Sequence, residues 1–390
     1  MKTMTEHFYR WGWLSPAILP LTQLAGRSAF IIVVWLYFFW GLSVLLRTRP
    51  ALDKKYLWLF GLLLVSYVLS MPFAEDPSRA FRKWIKFVAM SSVFVFCWML
   101  LEQQGQVAAR RLVKWIAILG MVMVGVAYIQ MVHFMLQPGF NPTHQLKEDS
   151  MPFLLPFIVS YLYTIKSARV RWLVIIVAVA AILFYAFMSE GRAAQLAAVL
   201  AIFVMLVITL GVRWYVAGLI AIGCLAAIIA GNWEIFIRMS SQQHGLYDTL
   251  NQFTSHRLEL WRNAIVHASH WNIIGCGMGN VRYFADILTF ADGERVEHMH
   301  NFILDAWFET GWLGLLIFLT FLGSIIIPAV TRLSDMNREQ KMLAGVALAS
   351  VVAILSAGLL SFSYASRQFG SYLMLCLAIL LWLSRSVKRT

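Results

Sequence analysis

Charge is scarce in this chain of 390 residues: Asp, Glu, Lys and Arg make up 13% of it, where a soluble domain carries about 25%. Acidic side chains are the scarcer half, 19 against 32 basic ones. So little charge, beside 60% apolar residues and a mean hydropathy of +0.71, excludes a disordered chain, a collagen-like fibre and a soluble enzyme. Cysteine is scarce too. Cys97, Cys224 and Cys376 lie in apolar runs and Cys276 stands alone in a polar stretch, so no disulfide framework is implied. No cleavable leader is expected, because the first apolar stretch holds Pro16 and Pro20 and lacks a small-residue cleavage pattern. The net charge of +13 comes without a basic run or interleaved aromatics, so nucleic acid is not an expected partner.

What the chain does have is long apolar runs, at 27–46, 56–73, 84–102, 112–136, 151–166, 170–188, 193–211, 214–231, 302–330, 342–362 and 368–384. In lipid each must satisfy its own backbone polar groups, so each is expected to be a helix. Residues 11–26 are shorter and proline-bearing; they cross at a tilt or are re-entrant. Counting them gives an all-α polytopic membrane protein of about 12 transmembrane helices, with membrane lipids as its surroundings.

Alternate connections are unequal in charge. Those at 47–55, 110–114, 166–171, 213, 332–341 and 385–389 hold seventeen Lys and Arg, and the opposite short loops hold six. The excess marks the cytoplasmic side and puts both termini there. Three regions follow: helices in 1–230, an outer loop at 231–301, and helices again in 302–390.

The outer loop carries six of the nine histidines: His244, His256, His267, His270, His298 and His300. Residues 254–270 read as a helix with Leu258, Trp261, Ile265 and Ala268 on one face and Thr254 or Ser255 as cap. That helix either lies on the membrane with its arginines snorkelling, or points Arg257 into an anion site. The run GCGMGN at 275–280 is a tight turn or, less expectedly, a phosphate cradle. No strand–helix unit surrounds it, so it is not a dinucleotide fingerprint. His298, His300 and Asn301 stand just before a span, where a histidine either caps the helix or acts as a base near neutral pH. His267, His270, His298 and His300 also offer four nitrogens to a metal, but they lack a thiolate set and a second shell; no metal or cofactor is expected. Arg192 sits in a short turn between two spans, and Arg79, Arg82, Lys83 and Lys86 gather at another outer turn. Cations there run against the inside bias, which favours a bound anion as their reason. Arginine's planar fork suits phosphate oxygens.

The order of these elements resembles a known family. Arg257, Leu258, Trp261 and Ala264, then Gly275, Gly277, Gly279 and Asn280, then His298, His300 and Asn301 ahead of Gly311–Leu315, with Ser189 and Arg192 upstream, resemble the O-antigen ligases and O-antigen polymerases. The resemblance implies a GT-C-like glycosyltransferase architecture in the bacterial inner membrane. It implies transfer of a glycan from undecaprenyl diphosphate at the periplasmic face, without metal or cofactor. The expected acceptor is a hydroxyl of lipid A–core; in a polymerase it is another lipid-linked repeat. On this footing His300 is the general base and Arg192 and Arg257 hold the diphosphate. Lys83, Lys86, His298 and Asn301 complete the substrate-binding set. A lipid or glycan transporter is the alternative of a different class; its signs, internal repeats and mid-membrane ionisable groups, do not stand out.

Overall fold

The structure is a computed structural model. It describes residues 2–22, 27–136, 151–162, 164–173, 175–176, 192–231, 247–248, 251, 254–267, 269, 273–284, 288, 296–361, 363, 366 and 368–387. Among the described residues every regular element is helical. They run α1 Lys2–Trp11, α2 Leu14–Thr22, α3 Arg27–Thr48, α4 Lys54–Ser70, α5 Pro77–Ser91, α6 Val93–Gln104 and α7 Gln106–Leu136. Then come α8 Met151–Leu162, α9 Arg192–Ile208, α10 Trp214–Gly231, α11 Arg257–Val266, α12 Phe302–Thr331, α13 Arg338–Gly358 and α14 Met374–Ser386. A π-helical turn, Gln368–Leu373, leads into α14.

Five of the described helical stretches are long and apolar enough to cross a membrane: Ser28–Thr48, Lys54–Phe73, Pro77–Gln104, Phe302–Thr331 and Arg338–Gly358. Shorter apolar helices, including Ala193–Ile208 and Gly370–Ser386, pack among them. This is the make-up of a membrane protein. Most apolar runs recur as helices, with shifted ends. The run at 84–102 begins earlier, at Pro77, because Asp76 caps α5 through the Arg79 N–H. The run at 170–188 falls largely outside the described residues.

The bundle has a centre and a rim. Residues 374–384 of α14 and 93–101 of α6 are buried on every side, as expected of a helix that is apolar all round. Helices α3, α4 and α12 are peripheral: Ile32, Leu36, Phe39, Trp58, Leu62, Leu316, Leu319 and Ile327 stay exposed. These side chains belong against lipid tails.

Of the proline-bearing segment 11–26, residues 11–22 are among those described. From Met4 to Leu19 the chain climbs the bundle. Met4 lies beside Ser43 and Arg47 near the end of α3, and the Tyr9 carbonyl accepts from Gln104 at the end of α6. Leu19 accepts from the Tyr372 hydroxyl (3.3 Å), well above those ends. Helices α1 and α2 thus rise through the bundle with a break at residues 12–13.

Among the described residues, connections that alternate in the sequence fall at opposite ends. At the end where α4 begins, Arg385 pairs with Asp53, Arg110 with Glu339, and Arg332 donates to the Ser384 carbonyl. These belong to the cation-rich connections. At the other end, called the upper end below, lie the turn 71–76, the start of α11, the glycine run, the histidine pair and Leu360.

Candidate active site

Among the described residues, the four helices whose starts carry candidate site residues begin at the upper end. Helix α5 starts after the turn 71–76. Helix α12 starts after His300, with Asn301 as cap: its Oδ1 accepts from the Ile303 and Leu304 N–H groups (3.0 and 3.2 Å). Helix α11 starts at Arg257, whose guanidinium donates to the Leu360 carbonyl beyond α13. Helix α9 starts at Arg192 and ends beside α13's lower part, where a Cβ on Gly345 would meet Thr209 Oγ1. Helix N-termini expose unpaired N–H groups and carry partial positive charge, so a set of them at one end favours an anion.

The glycine run is spliced into α12. Helix α12 breaks at Gly311, with φ 67° and ψ −173°. In an unbroken helix Leu313 N–H would donate to the Glu309 carbonyl. It donates instead to the Ile273 carbonyl (3.3 Å), while Gly277 N–H takes the Glu309 carbonyl (3.0 Å) and Cys276 N–H the Phe308 carbonyl (2.9 Å). The broken ladder is therefore satisfied from outside, as a helix in lipid demands. Glycine is required for the approach. A Cβ on Gly275 would stand 2.5 Å from Glu309 C and Thr310 N, and Gly275 has φ +77°. The run also closes on the turn before α5. Asp76 N–H donates to Asn280 Oδ1 (2.8 Å), and Arg79 Nε donates to the Gly279 carbonyl (2.8 Å). Of the two expectations for this run, the tight turn describes it: the Cys276, Gly277 and Gly279 N–H groups are engaged with α12.

The histidine turn hangs from both sides of Met299, which is fully buried. Its N–H donates to Asp305 Oδ1 (2.7 Å), and its carbonyl accepts from Trp261 Nε1 on α11 (2.8 Å). His298 and His300 flank this anchored residue with ring centroids 4.0 Å apart. His300 N–H donates to His298 Nδ1 (3.1 Å). Neutral His298 therefore carries its proton on Nε2. His300 adopts φ +52°, a left-handed backbone that costs a non-glycine residue about 1–3 kcal/mol. The clamp on Met299 maintains it.

The structure separates the upper-turn cations. Arg79 is engaged with Gly279 and, at 3.0 Å, with Glu297, which Arg282 also meets at 3.1 Å. Lys83 is exposed, with its stem along Gly279, where a Cβ would meet Lys83 Cγ at 3.1 Å. Lys86 is half-buried one turn further. Asp76 is held below the usual carboxylate range, first by the Arg79 N–H and then by the Tyr283 hydroxyl and the charges of Arg82 and Arg79. Burial, with the charges of Glu309 and Glu75, pushes the Cys276 thiol up to about 12, so it is inert.

Helix α11 differs from its expected form. It runs from 257 to 266 and buries Leu260 and Ala264, while Ile265 is 57% exposed. Trp261 turns to Met299 and so sets the contact face. His256, with φ 61°, occupies the cap position, and Thr254 Oγ1 accepts from Leu258 N–H (3.4 Å). The side chain of Arg192, and Ser189, His244 and His270 entirely, lie outside the described residues. His267 Nδ1 is 3.0 Å from the Asn263 carbonyl, and no three His, Cys, Asp or Glu side chains converge on a metal-sized space among the described residues.

Two carboxylates went unnoticed in the sequence. Asp305 and Glu309, one turn apart on α12, are 0% and 2% exposed. Asp305 holds the histidine turn, and Glu309 Oε1 accepts from Gly279 N–H (2.6 Å). Their signal was two acids at i, i+4 inside an apolar run, which lipid tolerates only when they are engaged.

Residues 177–319 match the family model Wzy_C, O-antigen ligase. This stretch is similar to the O-antigen ligase family. It takes in α9, α10, α11, the glycine run, the histidine turn and the first part of α12. The match suggests O-antigen ligase or polymerase activity on lipid-linked glycans. No curated protein matches the chain.

Proposed function

We propose that this O-antigen ligase family protein transfers a glycan from undecaprenyl diphosphate to a hydroxyl of lipid A–core, at the periplasmic face of the inner membrane. The observation that carries the proposal is the upper end itself: helix starts, two of them headed by Arg192 and Arg257, around a histidine turn clamped through Met299. On this reading the chain crosses the membrane about 12 times in a GT-C-like arrangement. Its cation-rich connections and both termini lie in the cytoplasm, and 231–301 lies in the periplasm.

The reaction is one displacement. The acceptor hydroxyl oxygen attacks the anomeric carbon, and His300 takes its proton. The bond from that carbon to the phosphate oxygen breaks, and the diphosphate departs with the electron pair. Arg192 and Arg257 stabilise the charge developing on it, with Lys83 and Lys86 beside them. His298 orients His300, and Asn301 caps the helix that follows. A single displacement inverts the anomeric carbon, and no metal enters the scheme. The membrane holds both lipid-anchored partners at one depth, which shortens the orientational search.

The test is His300→Ala in the native host, with lipopolysaccharide resolved on a gel. A ligase loses core-linked chains while lipid-linked polymer accumulates. A polymerase leaves single repeats on the core. Unchanged lipopolysaccharide, with the variant present at its normal level, removes His300 as the base.

A further inference from the structure

Asp305 is an acid inside an apolar helix, and it meets three separate parts of the upper end. Its Oδ1 accepts the Met299 N–H at 2.7 Å, between the two histidines. Ser363, beyond α13 and close to the Leu360 carbonyl that receives Arg257, faces the same carboxylate. Lys83, on α5, acts on it through its charge. The histidine turn, the segment beyond α13 that receives Arg257, and Lys83 thus all bear on one side chain. Glu309, the next acid down the helix, holds the glycine run against that lysine.

A buried carboxylate costs several kcal/mol of lost hydration unless hydrogen bonds and opposite charge compensate it. A plain helix cap would do without it, since Asn301 already caps α12. Trp261 holds the 299–300 peptide through the Met299 carbonyl, but that bond leaves the preceding 298–299 peptide free. The second bond, in which the Met299 N–H donates to Asp305, fixes that peptide too, so both sides of Met299 are held and the direction in which His300 projects, at φ +52°, is set.

We propose that Asp305 is a positioning residue, whose bond to the Met299 N–H aims the His298–His300 turn at the anion-binding cations. The proposal rests on His300 being the base. It differs from that reading in what it predicts: geometry of the turn, measurable without turnover. The requirement is for an acceptor oxygen at the Oδ1 position. Asparagine supplies one; leucine, of similar volume, does not.

The experiment uses the full chain in lipid nanodiscs and two variants, Asp305→Leu and Asp305→Asn. Backbone hydrogen exchange is read on peptides covering 297–301, with α4 and α13 as internal references. Transfer is followed from the host's own undecaprenyl-diphosphate glycan to purified lipid A–core. Asp305→Leu is expected to speed exchange at 297–301 about tenfold, leave α4 and α13 unchanged, and lower kcat at least tenfold with the donor KM within about twofold. Asp305→Asn is expected to restore slow exchange and to recover most of kcat. Unchanged exchange at 297–301 in Asp305→Leu overturns the proposal. If Asp305→Leu loosens α4 and α13 as well, Asp305→Asn decides: slow exchange at 297–301 without recovered transfer assigns the effect to charge and overturns positioning. A His300→Ala chain that still transfers glycan removes the base reading alone, because the exchange result does not depend on turnover.

Discussion

The bond from Trp261 Nε1 to the Met299 carbonyl is testable by a one-atom change. Replacing Trp261 with β-(3-benzothienyl)alanine keeps the shape of the ring and swaps N–H for sulfur. The carbonyl it leaves behind belongs to a residue with no exposure, so water does not take over. An unsatisfied buried acceptor costs about 1–3 kcal/mol. At 1.4 kcal/mol per decade, that is a roughly 5- to 140-fold rise in the population of open turns. The Asp305 bond on the other side of Met299 keeps the lower part of that range the expectation. The change should be local, since α11 keeps Leu260 and Ala264 buried. The assay is glycan transfer in nanodiscs, alongside hydrogen exchange at 297–301. Exchange should rise about fivefold or more, kcat should fall because the histidines lose their fixed direction, and the thermal midpoint should move little. A substituted chain with wild-type exchange at 297–301 and wild-type kcat would refute the clamp as the means of holding the histidines.

Gly311→Ala should destabilise the whole upper end. Its Cβ would stand 2.1 Å from the Ile273 oxygen, and φ +67° adds about 1–3 kcal/mol of strain. Gly323→Ala, whose Cβ meets only Ile327 Cδ1 at 3.6 Å, should leave the thermal midpoint unchanged or higher; equal midpoints for the two would contradict the splice. Asp76 contributes stability that is present above the unfolded carboxylate pKa of about 3.9 and is lost as pH falls through its lower folded value. Asp76→Asn should flatten the thermal midpoint against pH below about 4, and an unchanged slope there would show that the cap does not titrate with folding.

Much of the frame was legible because membrane helices announce themselves in runs. The charge bias did more than count them: Arg110 with Glu339 and Arg385 with Asp53 meet at one end, while Arg79, Arg257 and the histidines meet at the other. Helix α11 was legible in existence and not in orientation. Leu258, Trp261 and Ile265 have helical spacing, but Trp261 is drawn to Met299 and Leu260 with Ala264 turn inward, so tertiary contact overrides the pattern. The glycine run could be read as a turn. That it docks into a break at Gly311, and that Asn280 answers to Asp76, depends on contacts far apart in the chain, which spacing does not encode. Asp305 and Glu309 were visible as acids in an apolar run; their hydrogen bonds alone reveal what they hold.

The pairing of Asp76 with Asn280 spans 204 positions, and that has a consequence in time. At ordinary synthesis rates of about 5–20 residues per second, Asp76 leaves the ribosome roughly 10–40 s before its partner does. Glu309 and Gly311 follow later still. During that interval the turn before α5 has neither its Asn280 partner nor the histidine turn beside it. On the proposed reading the site is complete only when the last third of the chain arrives and docks, so a truncated or stalled protein would have helices but no site with which to misuse a lipid-linked glycan.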